Sequence, residues 1–204
     1  MTTPAVADAE AYLAEDEALA RARDRGTAAG AVPLSPGGGA ALALLAATVS
    51  ARAVVEIGTG AGVSGLYLLR GMASDGTLSS IDVDPELQRA ARATFVEAGF
   101  GASRLRLING MALDVLPRLT DAGYDLVLVD AVPVEYPAYL DEAVRLLRPG
   151  GMLVLVGVAD GGRGTADGPV GEALREVVTR VREDERLLSA LLPLAEGMLC
   201  ALRR

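Results

Sequence analysis

The residues best placed to do chemistry lie in one run, Val54-Val55-Glu56-Ile57-Gly58-Thr59-Gly60-Ala61-Gly62. A short β-branched stretch ends in closely spaced glycines, and a helical pattern follows. Glycine there permits positive φ and lets a ligand approach the backbone closely. In doubly wound parallel sheets, ligands bind beyond the C-terminal strand ends, beside such a turn. Asp82 closes the next strand-like run and is suited to accept hydrogen bonds from both hydroxyls of a ribose. Asp84, with Pro85 after it, is the better helix cap, which leaves Asp82 for a ligand. Glu56 sits inside an otherwise apolar strand, and a buried carboxylate needs partners. Backbone N–H groups of the glycine turn, or the ammonium of an amino-acid ligand, would serve. The spacing Gly58, Gly60, Gly62, Gly65 departs from the G-x-G-x-x-G of nicotinamide sites.

What is missing narrows the chemistry further. The 204 residues include no His, no Lys and no Trp, and all 19 basic residues are Arg. That excludes a Ser-His-Asp or Cys-His arrangement, a lysine Schiff base, a P-loop lysine and a histidine metal ligand. A proton acceptor must be Asp, Glu, Tyr or the single cysteine, Cys200. With no His or Lys to lower its pKa, Cys200 reads as a small buried hydrophobe. The 27 acidic residues leave a formal charge of −8, which argues against nucleic acid as a partner. One cysteine makes no internal disulfide, which fits a cytoplasmic location. No apolar run approaches the roughly 18 residues of a membrane span, and the start, MTTPAVADAE, lacks a secretory pattern.

These residues need elements to hold them. Ala5 to Arg25 reads as one surface or interface helix, and Ser35-Pro36 as the cap of a second over 40–49, its first turn weakened by Gly37 to Gly39. From Ala53 onward strands and helices alternate. Strands are expected at 53–57, 77–81, 105–108, 124–129 and 152–156, with helices at 63–72, 84–98, 112–119 and 137–147. Alternation implies βαβ units and a parallel sheet, and continuous apolar strands imply burial on both faces. Asp160 to Gly168 reads as a loop, either a lid or a connector. An amphipathic helix over 170–184 and an antiparallel hairpin of 187–194 with 198–202 close the chain. The expectation is a single α/β domain over 1–204, with 1–35 as an N-terminal helix and covering segment.

The stretches LSPGGGAALALLA (34–46), VVEIGTGAGVSGLYLL (54–69), SIDVDPELQRAAR (80–92), GMALDVLPRL (110–119) and DLVLVDAVPVEYPAYLDEAVRLLRPGG (125–151) carry a resemblance. The chain resembles class I S-adenosylmethionine-dependent methyltransferases, and within them the small catechol and caffeoyl-CoA O-methyltransferase family. It is especially similar to the family's short actinobacterial members. The resemblance implies a Rossmann-like seven-stranded sheet in the order 3-2-1-4-5-7-6, with strand 7 antiparallel and helices on both faces. It implies S-adenosyl-L-methionine as cofactor, S-adenosyl-L-homocysteine as product, a small-molecule methyl acceptor and a homodimer. By the same resemblance Glu56, Gly58, Thr59, Gly60 and Ser64 surround the methionine moiety. Ser64 would donate to its carboxylate near a helix N-terminus. Asp82 matches the ribose acid and Val83 lies beside the adenine. Met111 and Ala112 form the adenine turn, and Leu34 belongs to the covering segment. Asp130 is the acid near methyl transfer, counted both as a cofactor contact and as a catalytic group.

The sequence departs from that family in two places. Its divalent-metal ligands are the acid at the fourth strand end and an Asp-Asn pair at the fifth. Asp130 supplies the first, but the others fall on Val156 and Gly157. One carboxylate is far short of the oxygen set Mg²⁺ requires, so no divalent metal is expected. The family's basic residue three positions after the acid is Pro133 here. Asp130, Tyr136 and Tyr139 are then the candidate bases, although a tyrosine with its ordinary pKa near 10 is a poor one. Three readings stay open: a metal-free methyltransferase acting on O, N or C, a cofactor-binding sensor without turnover, and a small nicotinamide-dependent oxidoreductase.

Overall fold

The computed structural model describes residues 4–159 and 167–204. Three helices precede the sheet: α1 (Pro4–Ala11), α2 (Glu17–Ala28) and α3 (Pro36–Thr48). The single N-terminal helix expected from the sequence is thus two. Asp16 explains the break, because its side chain caps α2 by accepting from the Leu19 N–H at 3.1 Å. Nor is α2 merely a surface helix, since Leu19, Ala22 and Gly26 are buried. Helix α3 starts on the expected Ser35 cap. Its glycine-rich first turn is braced from outside. Glu10 of α1 accepts from the Gly37 N–H at 2.6 Å, and Gly39 lets the Tyr67 ring pack against the helix backbone.

The alternating section follows as β1 (Ala53–Ile57), α4 (Val63–Gly71), β2 (Thr77–Asp82), α5 (Pro85–Glu97), β3 (Leu105–Asn109), α6 (Ala112–Val115), β4 (Tyr124–Val129), α7 (Tyr136–Leu146) and β5 (Leu147–Leu155). Then come α8 (Gly168–Glu183), β6 (Leu187–Leu192) and β7 (Met198–Arg203). Two differences are local. The helix expected at 112–119 is one α-turn continued by a 3-10 turn at Leu116–Arg118, where Pro117 removes a donor. β5 begins five residues earlier than expected, because Pro149-Gly150-Gly151 is absorbed as an irregularity within the strand rather than ending the helix. Most of the 160–168 loop lies outside the described residues.

The seven strands form one sheet in the order β3-β2-β1-β4-β5-β7-β6. β1 to β5 pair in parallel, and β7 runs antiparallel to both β5 and β6. This is the expected order and direction. Successive side chains in a strand face opposite ways. Val55, Ile57, Val127 and Val129 therefore pack with α7 and α8 on one face, while Val54, Leu126 and Leu128 pack with α2 to α5 on the other. Glu56 points with Val54 toward α4. Among the described residues, no helix is long and apolar enough to cross a membrane.

Candidate active site

The C-terminal ends of β1, β2 and β4 open into a cavity of about 690 Å³. That lies within the ~300–1,000 Å³ usual for small-molecule sites. Gly58 fixes its floor. Its φ is +95°, and any Cβ there would overlap the Asp130 carbonyl oxygen. Its N–H donates to the Ile81 carbonyl at 2.9 Å, and the Asp130 N–H donates to Ile57 at the same distance. The turn is thereby tied to both neighbouring strands. Gly60 differs: its φ is +50° and nothing lies within 4 Å of where a Cβ would stand. It leaves an open cradle on the cavity side.

Leu34, Gly58, Thr59, Gly60, Ser64, Asp82, Val83, Met111, Ala112, Asp130 and Tyr139 all line this cavity. The Asp82 carboxylate accepts from the Gly60 N–H at 3.0 Å and the Asp84 N–H at 2.9 Å. A carboxylate has about four acceptor positions, so each oxygen retains capacity for a ligand hydroxyl. Val83 and Met111 are exposed at 63% and 56% on the apolar part of its wall.

Two expected residues are elsewhere. Glu56 is fully buried behind the turn and does not reach the cavity. Its partners are neither turn N–H groups nor free space for an ammonium. Ser64 Oγ donates to it at 2.6 Å and Ser80 Oγ at 2.5 Å, with Thr59 Oγ1 2.7 Å from Ser80 Oγ. Burial, reinforced by the charges of Asp130 and Asp82, outweighs those hydrogen bonds and pushes its pKa to about 8. Ser64 is consequently not the simple donor expected. Its hydroxyl lines the cavity and is at the same time bonded to Glu56 behind the turn.

Tyr136 is the second correction. It is 2% exposed, absent from the cavity wall, and its hydroxyl donates to the Val156 carbonyl at 3.0 Å. Burial and the nearby Asp130 charge raise its pKa, so it is a packing residue rather than a base. Tyr139 does reach the cavity, but its hydroxyl donates to Glu135, and burial together with that bond raises its pKa. Among the cavity-lining carboxylates, Asp130 is raised toward neutrality. Burial, with Glu196 nearby, lifts it to about 6.

A divalent cation does not fit these residues. Val156 is buried in the core and Gly157 has no side chain. Among the described residues, no group of three or more His, Cys, Asp or Glu could hold a metal ion.

Sequence reasoning missed several groups. The Arg23 guanidinium donates to the Leu34 carbonyl at 2.9 Å and to Glu15, and Glu15 also accepts from Tyr67 at 2.9 Å. Arg23 thus ties the covering strap, residues 31–34, to α2 and α4. Two residues along, Arg25 pairs with Glu97 and donates to Thr94 Oγ1 at 3.2 Å. Thr94 in turn donates to the Ala61 carbonyl of the glycine turn at 2.9 Å. Arg25 is therefore not the solvated charge that an Arg-rich helix suggests. Asn109 donates to the carbonyls of Asp82 and Val83, both at 3.1 Å, and fixes the end of β2. Carbonyl partners leave no side-chain pattern to read. Glu135 and Tyr139 did carry a signal, the i, i+4 helical spacing.

Comparison with known proteins agrees with this geometry. A model of the O-methyltransferase family matches residues 7–204. A relative from Mycobacterium tuberculosis that is named an O-methyltransferase is 52% identical over 201 residues, covering 97% of this chain and 89% of its own. Among solved structures, a Corynebacterium glutamicum protein is similar at 35% identity and a TM-score of 0.88, over 95% of this chain and 93% of that one. The O-methyltransferase TomG of Streptomyces achromogenes, involved in tomaymycin synthesis and solved with SAM, gives 28% identity and a TM-score of 0.89 over 100% and 99% of the chains. An O-methyltransferase from Bacillus cereus solved with SAH gives 25% and 0.86 over 97% and 96%. A seven-stranded sheet with the glycine turn and Asp82 at its ligand end, and a family model spanning nearly the whole chain, lead to one assignment: the chain belongs to the O-methyltransferase family.

Proposed function

We propose that the chain methylates a hydroxyl of a small molecule with S-adenosylmethionine and without a divalent metal. The observation that carries this reading is Asp82, which closes β2 at the edge of the cavity facing the open cradle at Gly60. When bound, S-adenosylmethionine supplies a methyl group on a positively charged sulfur. Asp82 accepts from the ribose hydroxyls, and Val83, Met111 and Ala112 flank the adenine. Gly58, Thr59, Gly60 and Ser64 surround the methionine end, with Glu56 positioning Ser64 from behind. Leu34 and the strap cover the site and exclude water.

Asp130 is the proton acceptor in this reading. A base with a pKa of about 6 is largely deprotonated at pH 7 yet retains basicity, the balance general-base catalysis favours. Alignment of the two reactants supplies much of the remaining rate. The nicotinamide reading finds no support in the family. A homodimer is favoured by β6, an edge strand with no charged residue and with Leu188 and Leu191 exposed at 58% and 48%. A cytoplasmic location is favoured by the lone, buried Cys200.

Titration with S-adenosylhomocysteine tests the cofactor assignment. Wild type should bind in the micromolar range and Asp82→Ala about 100-fold more weakly, since two charge-assisted hydrogen bonds are lost. Asp130→Asn should keep that affinity within a few-fold while turnover falls by about 100-fold or more. Wild-type turnover should climb with pH through about 6 as Asp130 loses its proton. Absence of S-adenosylhomocysteine binding would sink the reading. Binding without methylation of any acceptor would make the protein a sensor.

A further inference from the structure

The acceptor end of the cavity has an unusual chemical polarity. Its wall is Asp130, Val132, Pro133, Glu135 and Tyr139, and none of the described basic side chains lines the cavity anywhere. Val132, 54% exposed, adds an apolar surface. The polar atoms offered are therefore two carboxylates and one hydroxyl. That hydroxyl is already spent, because Tyr139 donates its hydrogen to Glu135. Tyr139 is itself only 3% exposed and packs 6.3 Å from the Tyr136 ring, so it is a fixed donor rather than a swinging one. It holds the Glu135 carboxylate at the end of the 3-10 turn Pro133–Glu135, against the first turn of α7.

A molecule docked there meets hydrogen-bond acceptors and negative charge, and among the described residues no basic side chain to satisfy an anion. Like-charge contacts and unpaired polar groups are how a site rejects the wrong partner. Asp130 serves the reacting hydroxyl in the reading above, which leaves Glu135 without a task in it. On the strength of that reading, we propose that the acceptor is a neutral or cationic hydroxyl compound with an apolar body, and that Glu135, oriented by Tyr139, binds a second donor on it. That donor is an ammonium or another hydroxyl. Anionic acceptors, including carboxylates and phosphate-bearing thioesters, are refused.

Three catechols of similar size that differ in the end group test this: dopamine (ammonium), 4-ethylcatechol (neutral) and 3,4-dihydroxyphenylacetate (carboxylate). Methyl transfer from labelled S-adenosylmethionine would be measured with chelator present. In wild type, kcat/KM should favour the ammonium and neutral probes over the carboxylate by at least about tenfold. Glu135→Gln should erase most of the ammonium-to-carboxylate ratio, and Glu135→Arg should reverse it. Tyr139→Phe should blunt the preference by raising KM for the ammonium probe with little change in kcat. A wild-type preference for the carboxylate, or an unchanged ratio in Glu135→Arg, overturns the proposal. So does failure of the S-adenosylhomocysteine-saturated protein to bind any of the three. Each variant is first titrated with S-adenosylhomocysteine. Loss of that binding in wild type would be a failure of the methyltransferase reading itself, and its retention confines any failure to the acceptor proposal.

Discussion

The two halves of the cavity are made of different material. The half assigned to the cofactor is mostly main chain: the Gly58–Gly62 turn, the ends of β1 and β2, and the backbone N–H groups that orient Asp82. The half assigned to the acceptor is mostly side chain, set on a loop, one 3-10 turn and the start of α7. Main-chain geometry follows from strand register, so the first half is rigid and tolerates little change. The second can be rewritten one side chain at a time, as Pro133 beside Asp130 illustrates.

The sharpest way to break this contrast is at the turn. Gly58→Ala forces a Cβ into the Asp130 carbonyl at a φ of +95°. It should destabilise the protein by about 3 kcal/mol or more, read from urea unfolding, and abolish S-adenosylhomocysteine binding. Gly60→Ala, at +50° with open space ahead, should cost only about 1 kcal/mol of stability yet weaken binding, because the methyl enters the cradle. Equal effects of the two substitutions on stability would refute the distinction between floor and cradle.

Behind the turn, Glu56 gives an effect that depends on pH. Its folded pKa of about 8 lies above its ordinary carboxylate value, so the folded protein holds a proton that the unfolded chain releases. The contribution is complete below about pH 4.5 and is lost as pH rises through about 8. Over that window wild-type stability should fall by on the order of 1 kcal/mol per pH unit. Glu56→Gln should flatten the dependence. An identical pH profile in the variant would show that Glu56 is charged in the folded protein.

The smallest effect belongs to the strap. Arg23→Ala removes the donor to the Leu34 carbonyl and the partner of Glu15. Stopped-flow measurement should give S-adenosylhomocysteine dissociation faster by about tenfold, matching the loss of a charge-assisted hydrogen bond. Acceptor preference among the three catechols should be unchanged. A shift in that preference would mean that the strap belongs to the acceptor half as well.

The same division explains what could be read in advance. β-branched runs and glycine spacing carried the parallel alternation of strands and helices, the turn and Asp82, because backbone-made features require particular residue types, whereas the sheet order came only with the family resemblance. Glu56 was recognisable as needing partners, but its partners were not. Ser80 sits on the neighbouring strand and Ser64 on α4, and only the register of β1 against β2 brings them together. Tyr136 and Tyr139 were indistinguishable by spacing. The strand end decides between them, by offering the Val156 carbonyl to one and the cavity to the other. The single long N-terminal helix was misread because Asp16, a helix-interior residue by position, acts as a cap.

Helix α2 gives the molecule one further property. Arg23 fastens the strap, and Arg25, through Thr94, fastens the glycine turn. Roof and floor of the cofactor's half are therefore hung from one helix, two residues apart. A displacement of α2 against α5 would therefore disturb both ends of that half at once, and the helix acts as their common anchor.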